Sequence, residues 1–381
     1  MKRSLILGLC QGAGILGVIF LGILIAYATD ILTVDRDGTI RLRVSDTGKV
    51  TLNTAEAAEG DLRFTPRAID PTAPLAGDLW YNSAEKLVKY ADGNMTTPLA
   101  ETTNAALTLY VNGTTGDNNN SGLTSGTAVQ TIQKAVDLVP PIVRHAVTIN
   151  IAAGVYRDLG GASSNVYIAD KSVLATGSIT IVGDVATPSN VRVTGNASEV
   201  DPTPIRANGF FVYNVYGVSI RGILCNYFTL SGVRAYKANV DLTSCVCSNN
   251  SVYGMLYDLF SRGWLTSCTA NSNGNAGLMI NTMSSVNPTS CTFSSNTGSG
   301  VWCQFASQAY IQTCTITSNG SHGILGQYNA NMNSVNNVAG ANNTGYGVYA
   351  NRGAQISISG TTPNGTSGGT GADAATFAIC Q

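Results

Sequence analysis

Apolar and polar residues alternate with period two over most of this chain, in short runs broken by Gly, Asn, Ser and Asp. That spacing predicts strands whose successive side chains point to opposite faces. Two stretches depart from it. Residues 4–29 form an uncharged apolar run behind Lys2 and Arg3, long enough to cross a bilayer as a helix, which takes about 20 apolar residues. In "TAVQTIQKAVDLVPP" the residues Val129, Ile132, Ala135, Val136 and Val139 recur at helical spacing until Pro140-Pro141 stops them, so a short amphipathic helix is expected. Between these stretches, "TIRLRVSDTGKVTLNT" alternates around Asp46-Thr47-Gly48 and "GDLWYNSAEKLVKYADG" around Ser83 to Lys86, which predicts two hairpins. The chain divides into an apolar leader (1–30), a hairpin stalk (31–104), a repetitive domain (105–360) and a Gly/Ser/Thr-rich tail (361–381).

The repetition has a period of 23 residues: Cys245, Cys268, Cys291 and Cys314 keep it, as do Asn250, Asn273, Asn296, Asn319 and Asn342, and Gly254, Gly277, Gly300 and Gly323. A fixed period of this length marks a solenoid, in which each repeat buries its apolar face only by stacking on the next. Within each period the alternation puts Leu278 with Ile280, Val301 with Cys303, and Cys291 with Phe293 on inward faces. Successive coils then stack as parallel strands about 4.8 Å apart. The Asn column is expected at a turn, where amides bond the equivalent residue above and below and the backbone turns left-handed. The Gly column is expected to allow the next tight bend.

The order strand, Gly/Asp/Asn-rich loop, amphipathic helix and first coil over residues 107–156 resembles the start of right-handed parallel β-helix proteins of the pectin-lyase-like group. The hairpin region is similar to segments of phage tail fibres and bacterial surface proteins. The resemblance implies an all-β fold, a right-handed single-stranded parallel β-helix of about 22–24 residues per coil over residues 107–360. It also implies that the helix caps the first coil, covering apolar core and unpaired backbone. Likeness to tailspikes implies a homotrimer. The resemblance brings no catalytic motif with it.

Only 11 % of the residues are charged, and 21 Lys and Arg balance 22 Asp and Glu. Nucleic acid is excluded as a partner, since phosphate neutralisation needs a basic stripe. Lys2 and Arg3 favour a cytoplasmic N-terminus, so the remainder is expected outside the cytoplasm, at the cell surface or free of it. The leader reads either as a retained membrane anchor or, with Ala26-Tyr27-Ala28, as a cleaved signal peptide. Cys10 follows Leu9 where lipidation needs a small residue. The four cysteines of the repeat read as a mainly reduced, inward-facing ladder, with one disulfide between adjacent coils within geometric reach. No metal site is expected, because ligands spread along a column do not converge on a point, and no cofactor is expected.

Three constellations are candidates for chemistry. His322, in a Gly-Ser-His-Gly setting similar to polygalacturonases, occupies the slot of Ala276 and Ser299 in the preceding coils, and no Asp or Glu lies between Asp258 and Asp373. Glycoside hydrolysis needs two carboxylates about the scissile bond, so His322 reads as structural. Asp184, Glu199, Asp201, Asp241 and Asp258, with nearby arginines, are the only basis for the alternative of a polysaccharide lyase or glycoside hydrolase acting through acids before Phe260; Asp258 reads instead as an ion pair with Lys237 or Arg234. The outward column Met279, Trp302, Leu325, Tyr349, flanked by Asn281, Gln304, Gln327 and Asn351, suits either a polysaccharide or cell-surface glycan or a contact with another protein surface, such as a subunit interface. Rings stack on apolar sugar faces while amides bond hydroxyls. Trp302, Gln304, Gln327, Tyr349 and Asn351 are therefore the expected binding residues, in a protein that binds without catalysis.

Overall fold

The computed structural model describes residues 31–34, 40–43, 79–83, 87–91, 96–98, 102–103, 105–157, 166–196, 203, 205–339, 342–362, 368–372 and 379–380. Two units, Met1–Arg67 and Ala68–Gln381, make up the chain. In the first, Ile31–Val34 pairs antiparallel with Ile40–Arg43; the turn expected at Asp46 to Gly48 lies outside the described residues. In the second, Leu79–Asn82 pairs antiparallel with Leu87–Ala91 about the expected turn, and Thr96–Pro98 adds a third strand. No helix among the described residues is long and apolar enough to cross a membrane. The apolar run 4–29, with Cys10 and Ala26-Tyr27-Ala28, falls outside them.

From Leu107–Val111 onward the fold is a right-handed parallel β-helix. Each coil contributes one strand to each of three parallel sheets, as Arg262–Thr266, Thr269–Asn271 and Leu278–Ile280 do in turn. Among the described residues these sheets hold eleven, seven and nine strands. Pairing continues past Gly360: Gly368–Ala372 adds to the nine-stranded sheet and Ile379–Cys380 to the eleven-stranded one. Inward columns from all three sheets fill the core. Val233, Met255, Leu278, Val301, Ile324 and Val348 stack in the nine-stranded sheet, and Cys225, Cys247, Ala270, Phe293 and Ile316 in the seven-stranded one. All are fully buried, so alternation in sequence has become apolar burial, worth about 25 cal/mol per Å² removed from water.

The cap helix is short, Ile132–Asp137. Thr131 caps it, its hydroxyl accepting from the Lys134 amide at 3.2 Å, and Ile132, Ala135 and Val136 face the core. Val129, expected within the helix, instead bridges to Val111 in extended backbone. His145 is structural: its backbone N–H donates to Thr103 Oγ1 at 2.9 Å.

The columns at the turns are hydrogen-bonded ladders. Asn273 Nδ2 donates to Asn296 Oδ1 (2.9 Å) and to the Cys247 carbonyl (3.1 Å), and the same pattern recurs from Asn250 to Asn319. The last rung needs a correction. Asn343, not Asn342, accepts from Asn319, because this coil is one residue longer. Asn342 is exposed at φ 64° and occupies the left-handed slot of Ser272, Ser295 and Ser318, which precedes the ladder residue in every coil. The glycine column is also explained differently. Gly277 is not left-handed; a Cβ there would lie 2.8 Å from Asn296 Nδ2 and from the Gly300 carbonyl, so the ladder's close approach excludes any side chain. Cys225, Cys245, Cys247, Cys268, Cys291, Cys303 and Cys314 are free and buried. They do more than fill space: the Cys268 and Cys291 amides donate to the sulfurs of Cys291 and Cys314, each at 3.4 Å, and Asn337 Oδ1 takes over at Cys314 at 2.7 Å. Burial raises the Cys225 and Cys303 thiols above their ordinary range, which keeps them protonated.

Candidate functional site

The strand Leu278–Ile280 and its successors turn one face inward and present the other as three parallel columns. The centre column is Leu256, Met279, Trp302, Leu325 and Tyr349, in continuous register. One flank is Tyr253, Ala276, Ser299, His322 and Tyr346, aligned by backbone bonds between neighbouring coils. The other is Asp258, Asn281, Gln304, Gln327 and Asn351.

The centre is more covered than the alternation predicts: Met279 is 3 % and Leu325 7 % exposed. Beside it, the side chains of the second flank form a relay along the sheet. Arg234 Nη2 lies 3.7 Å from Asp258 Oδ2, Asn281 Nδ2 donates to Asp258 Oδ1 at 2.9 Å, and Gln304 Nε2 donates to Asn281 Oδ1 at 3.0 Å. The expected ion pair of Asp258 is thus made with Arg234.

Where the first flank carries small residues, a cleft of ≈280 Å³ opens. Trp302 and Leu325 form its floor, and Gln327 and Asn351 one side. Asn275, Ser299, Ser321 and His322 form the other. Of the expected binding residues, Trp302, Gln327 and Asn351 line it together, whereas Gln304 is turned to Asn281 and Tyr349 stands behind His322. Trp302 Nε1 and Asn351 Oδ1 are shielded from solvent and have no hydrogen-bond partner.

His322 has the slot expected of it, and its ring forms part of the cleft wall. Its ring stacks on Tyr349 at 4.5 Å and 13°, and Tyr349 stacks on Tyr346 at 5.1 Å and 8°. Nδ1 accepts from the Tyr346 amide at 3.0 Å, which leaves the proton on Nε2. Burial lowers its pKa, so the ring is neutral near pH 7. The sequence signal for this wall was a break in the column, Ala276, Ser299, then His322 and Tyr346.

The acids of the alternative reading are dispersed. Asp184 holds a loop, accepting from Asn190 Nδ2 at 2.8 Å and from the Ala186 and Thr187 amides, contacts that lower its pKa. Asp241 accepts from the Trp264 amide on the eleven-stranded sheet; Glu199 and Asp201 lie outside the described residues. Among the described residues no three His, Cys, Asp or Glu side chains gather as a metal site would need.

Residues 231–376 match the family described as "Right handed beta helix region", in keeping with the pectin-lyase-like right-handed coil expected from the sequence. No curated protein matches the chain. Among solved structures it is similar to pectate lyase Pel9A, at 14 % identity and a TM-score of 0.49 over 68 % of this chain and 70 % of that one. It is similar to the pectin methylesterase of Aspergillus niger, at 14 % identity and a TM-score of 0.40 over 70 % and 88 %. A third likeness is to ORF18 of Geobacillus virus E2, at 11 % identity and a TM-score of 0.37 over 76 % and 69 %.

Proposed function

We propose that this chain is an exported surface or virion-spike-like β-helix protein that binds an uncharged polysaccharide in the cleft at Trp302 without cleaving it. The observation that carries the reading is the composition of the cleft: an apolar floor, amide and hydroxyl walls, a neutral imidazole, and no carboxylate in its lining. A pyranose ring has an apolar face and a rim of hydroxyls that both donate and accept, which complements such a surface. Trp302 Nε1 and Asn351 Oδ1 each lack a partner; a ligand hydroxyl reached by a small side-chain rotation satisfies either one, recovering about 1–3 kcal/mol of desolvation per group. Hydrolysis needs two carboxylates, and the three columns hold one, Asp258, already engaged by Arg234 and Asn281.

In this reading the leader, retained as an anchor or removed, brings the domain out of the cytoplasm. Assembly as a homotrimer belongs to the same proposal. It is supported by Phe260, Met283 and Phe305, 51 %, 55 % and 45 % exposed at the corner between the nine- and eleven-stranded sheets. Phe and Met in such a ridge are enriched at subunit contacts. Molar mass in solution reads this directly. The binding reading is tested on an array of neutral and acidic polysaccharides with product analysis: retention of a neutral glycan without new reducing or unsaturated ends is expected. Product release abolished by Asp241→Ala or Asp258→Ala would install the lyase or hydrolase reading instead.

A further inference from the structure

The outer face of the nine-stranded sheet carries a second group of rings, well away from the cleft. Tyr167, Phe211 and Arg234 continue the centre column toward the N-terminal coils, and Tyr213 and Tyr236 continue the relay column. Tyr213 stacks on Tyr236 at 5.6 Å and 16°, and the Arg234 guanidinium lies 5.0 Å from the Phe211 ring centre. These rings are not a buried core: Tyr167 is 41 % and Tyr213 38 % exposed. Leu256 and Met279 give an apolar floor between the two groups. The charge on this stretch is neutralised within it, Arg234 against Asp258.

We infer that the Tyr167–Tyr213 cluster is a second sugar-stacking subsite of the same lane, so that the ligand is an extended neutral polysaccharide chain rather than a terminal mono- or disaccharide. The inference rests on the sugar-binding reading of the cleft. Its geometric basis is alignment: Tyr213 and the cleft's Trp302 lie on strands four steps apart in one parallel sheet, about 19 Å at 4.8 Å per strand. A pyranose residue in an extended chain advances by about one strand spacing, so successive sugars keep pace with successive coils. Two aromatic platforms, joined by the apolar floor of Leu256 and Met279 with the amide relay beside it, hold the chain at both ends, and the second contact is made at high effective concentration.

The experiment is a binding series with cello-, manno- and xylo-oligosaccharides, dimer through octamer, and their parent polymers, using the full chain and its Tyr167→Ser, Tyr213→Ala and Trp302→Ala variants. For a series that the wild type binds, affinity is expected to rise at least tenfold between trimer and octamer. Tyr213→Ala and Tyr167→Ser each lower octamer affinity about tenfold and leave trimer affinity unchanged, the unchanged trimer also reporting an intact fold; Trp302→Ala lowers both. Affinity flat in chain length, or octamer binding unmoved by both tyrosine variants while Trp302→Ala weakens it, overturns the second subsite and leaves the cleft standing. Absence of binding by every series and polymer removes the cleft reading together with it.

Discussion

The asparagine ladder and the first flank of the cleft are separated by only two residues in each coil, yet they treat the repeat in opposite ways. Asn250, Asn273, Asn296 and Asn319 are identical and buried, each amide bonded to the next. Tyr253, Ala276, Ser299, His322 and Tyr346 change from each coil to the next, and Ser299 and His322 line the cleft. Repetition serves a contact that each coil makes with an identical neighbour; variation serves a contact with something that is not a coil. The inward columns vary only among apolar residues, whereas in the centre column Leu256 and Met279 give way to Trp302, whose indole carries a polar N–H.

If that division holds, variants sort into two classes. The largest effect is expected at the ladder. Asn296→Ala removes the donor to the Ala270 carbonyl and to Asn319 and the acceptor for Asn273, stranding several buried groups at about 1–3 kcal/mol each. A loss of about 3 kcal/mol or more is expected in urea unfolding, with glycan affinity unchanged in the folded fraction. At the site the pattern inverts: Trp302→Ala should weaken polysaccharide retention at least tenfold, about 1.4 kcal/mol, with a smaller change in the unfolding midpoint.

His322 gives a subtler test. Its folded pKa lies below the ordinary 6.5 because of burial, so as pH falls the unfolded chain takes up the proton first. The stability contribution is fully present above about pH 6.5 and declines as pH falls toward the folded pKa. Unfolding measured against pH should therefore show a slope in that window that His322→Gln removes. The smallest effect is expected at Trp264, which is 60 % exposed on the outer face of the eleven-stranded sheet: Trp264→Ala should leave retention unchanged and stability within about 0.5 kcal/mol. A loss of retention there would move the site to the other sheet.

Legibility in the sequence follows the same line. The coil, its period and its inward columns were readable because in-register stacking repeats a residue type at fixed spacing. The register slip that puts Asn343 in the ladder was not, since one inserted residue between 338 and 342 leaves two adjacent asparagines that both satisfy the pattern. The glycine column was readable as a requirement but not in its cause, which is crowding by the asparagine amide of the next coil. Trp302, Gln327 and Asn351 were found as an outward strip. The wall at His322 is not legible from its counterparts Ala276 and Ser299, because its role comes from the ring of Tyr349 one coil later.

The most direct test uses the chain's three tryptophans as reporters, Trp80, Trp264 and Trp302. Titrating a retained neutral polysaccharide while following tryptophan fluorescence and polymer size should give a saturable signal that persists in Trp264→Phe, vanishes in Trp302→Phe, and leaves the polymer at its original length. A signal that survives Trp302→Phe, or a polymer that shortens during the titration, would contradict non-catalytic binding on the outer face of the nine-stranded sheet.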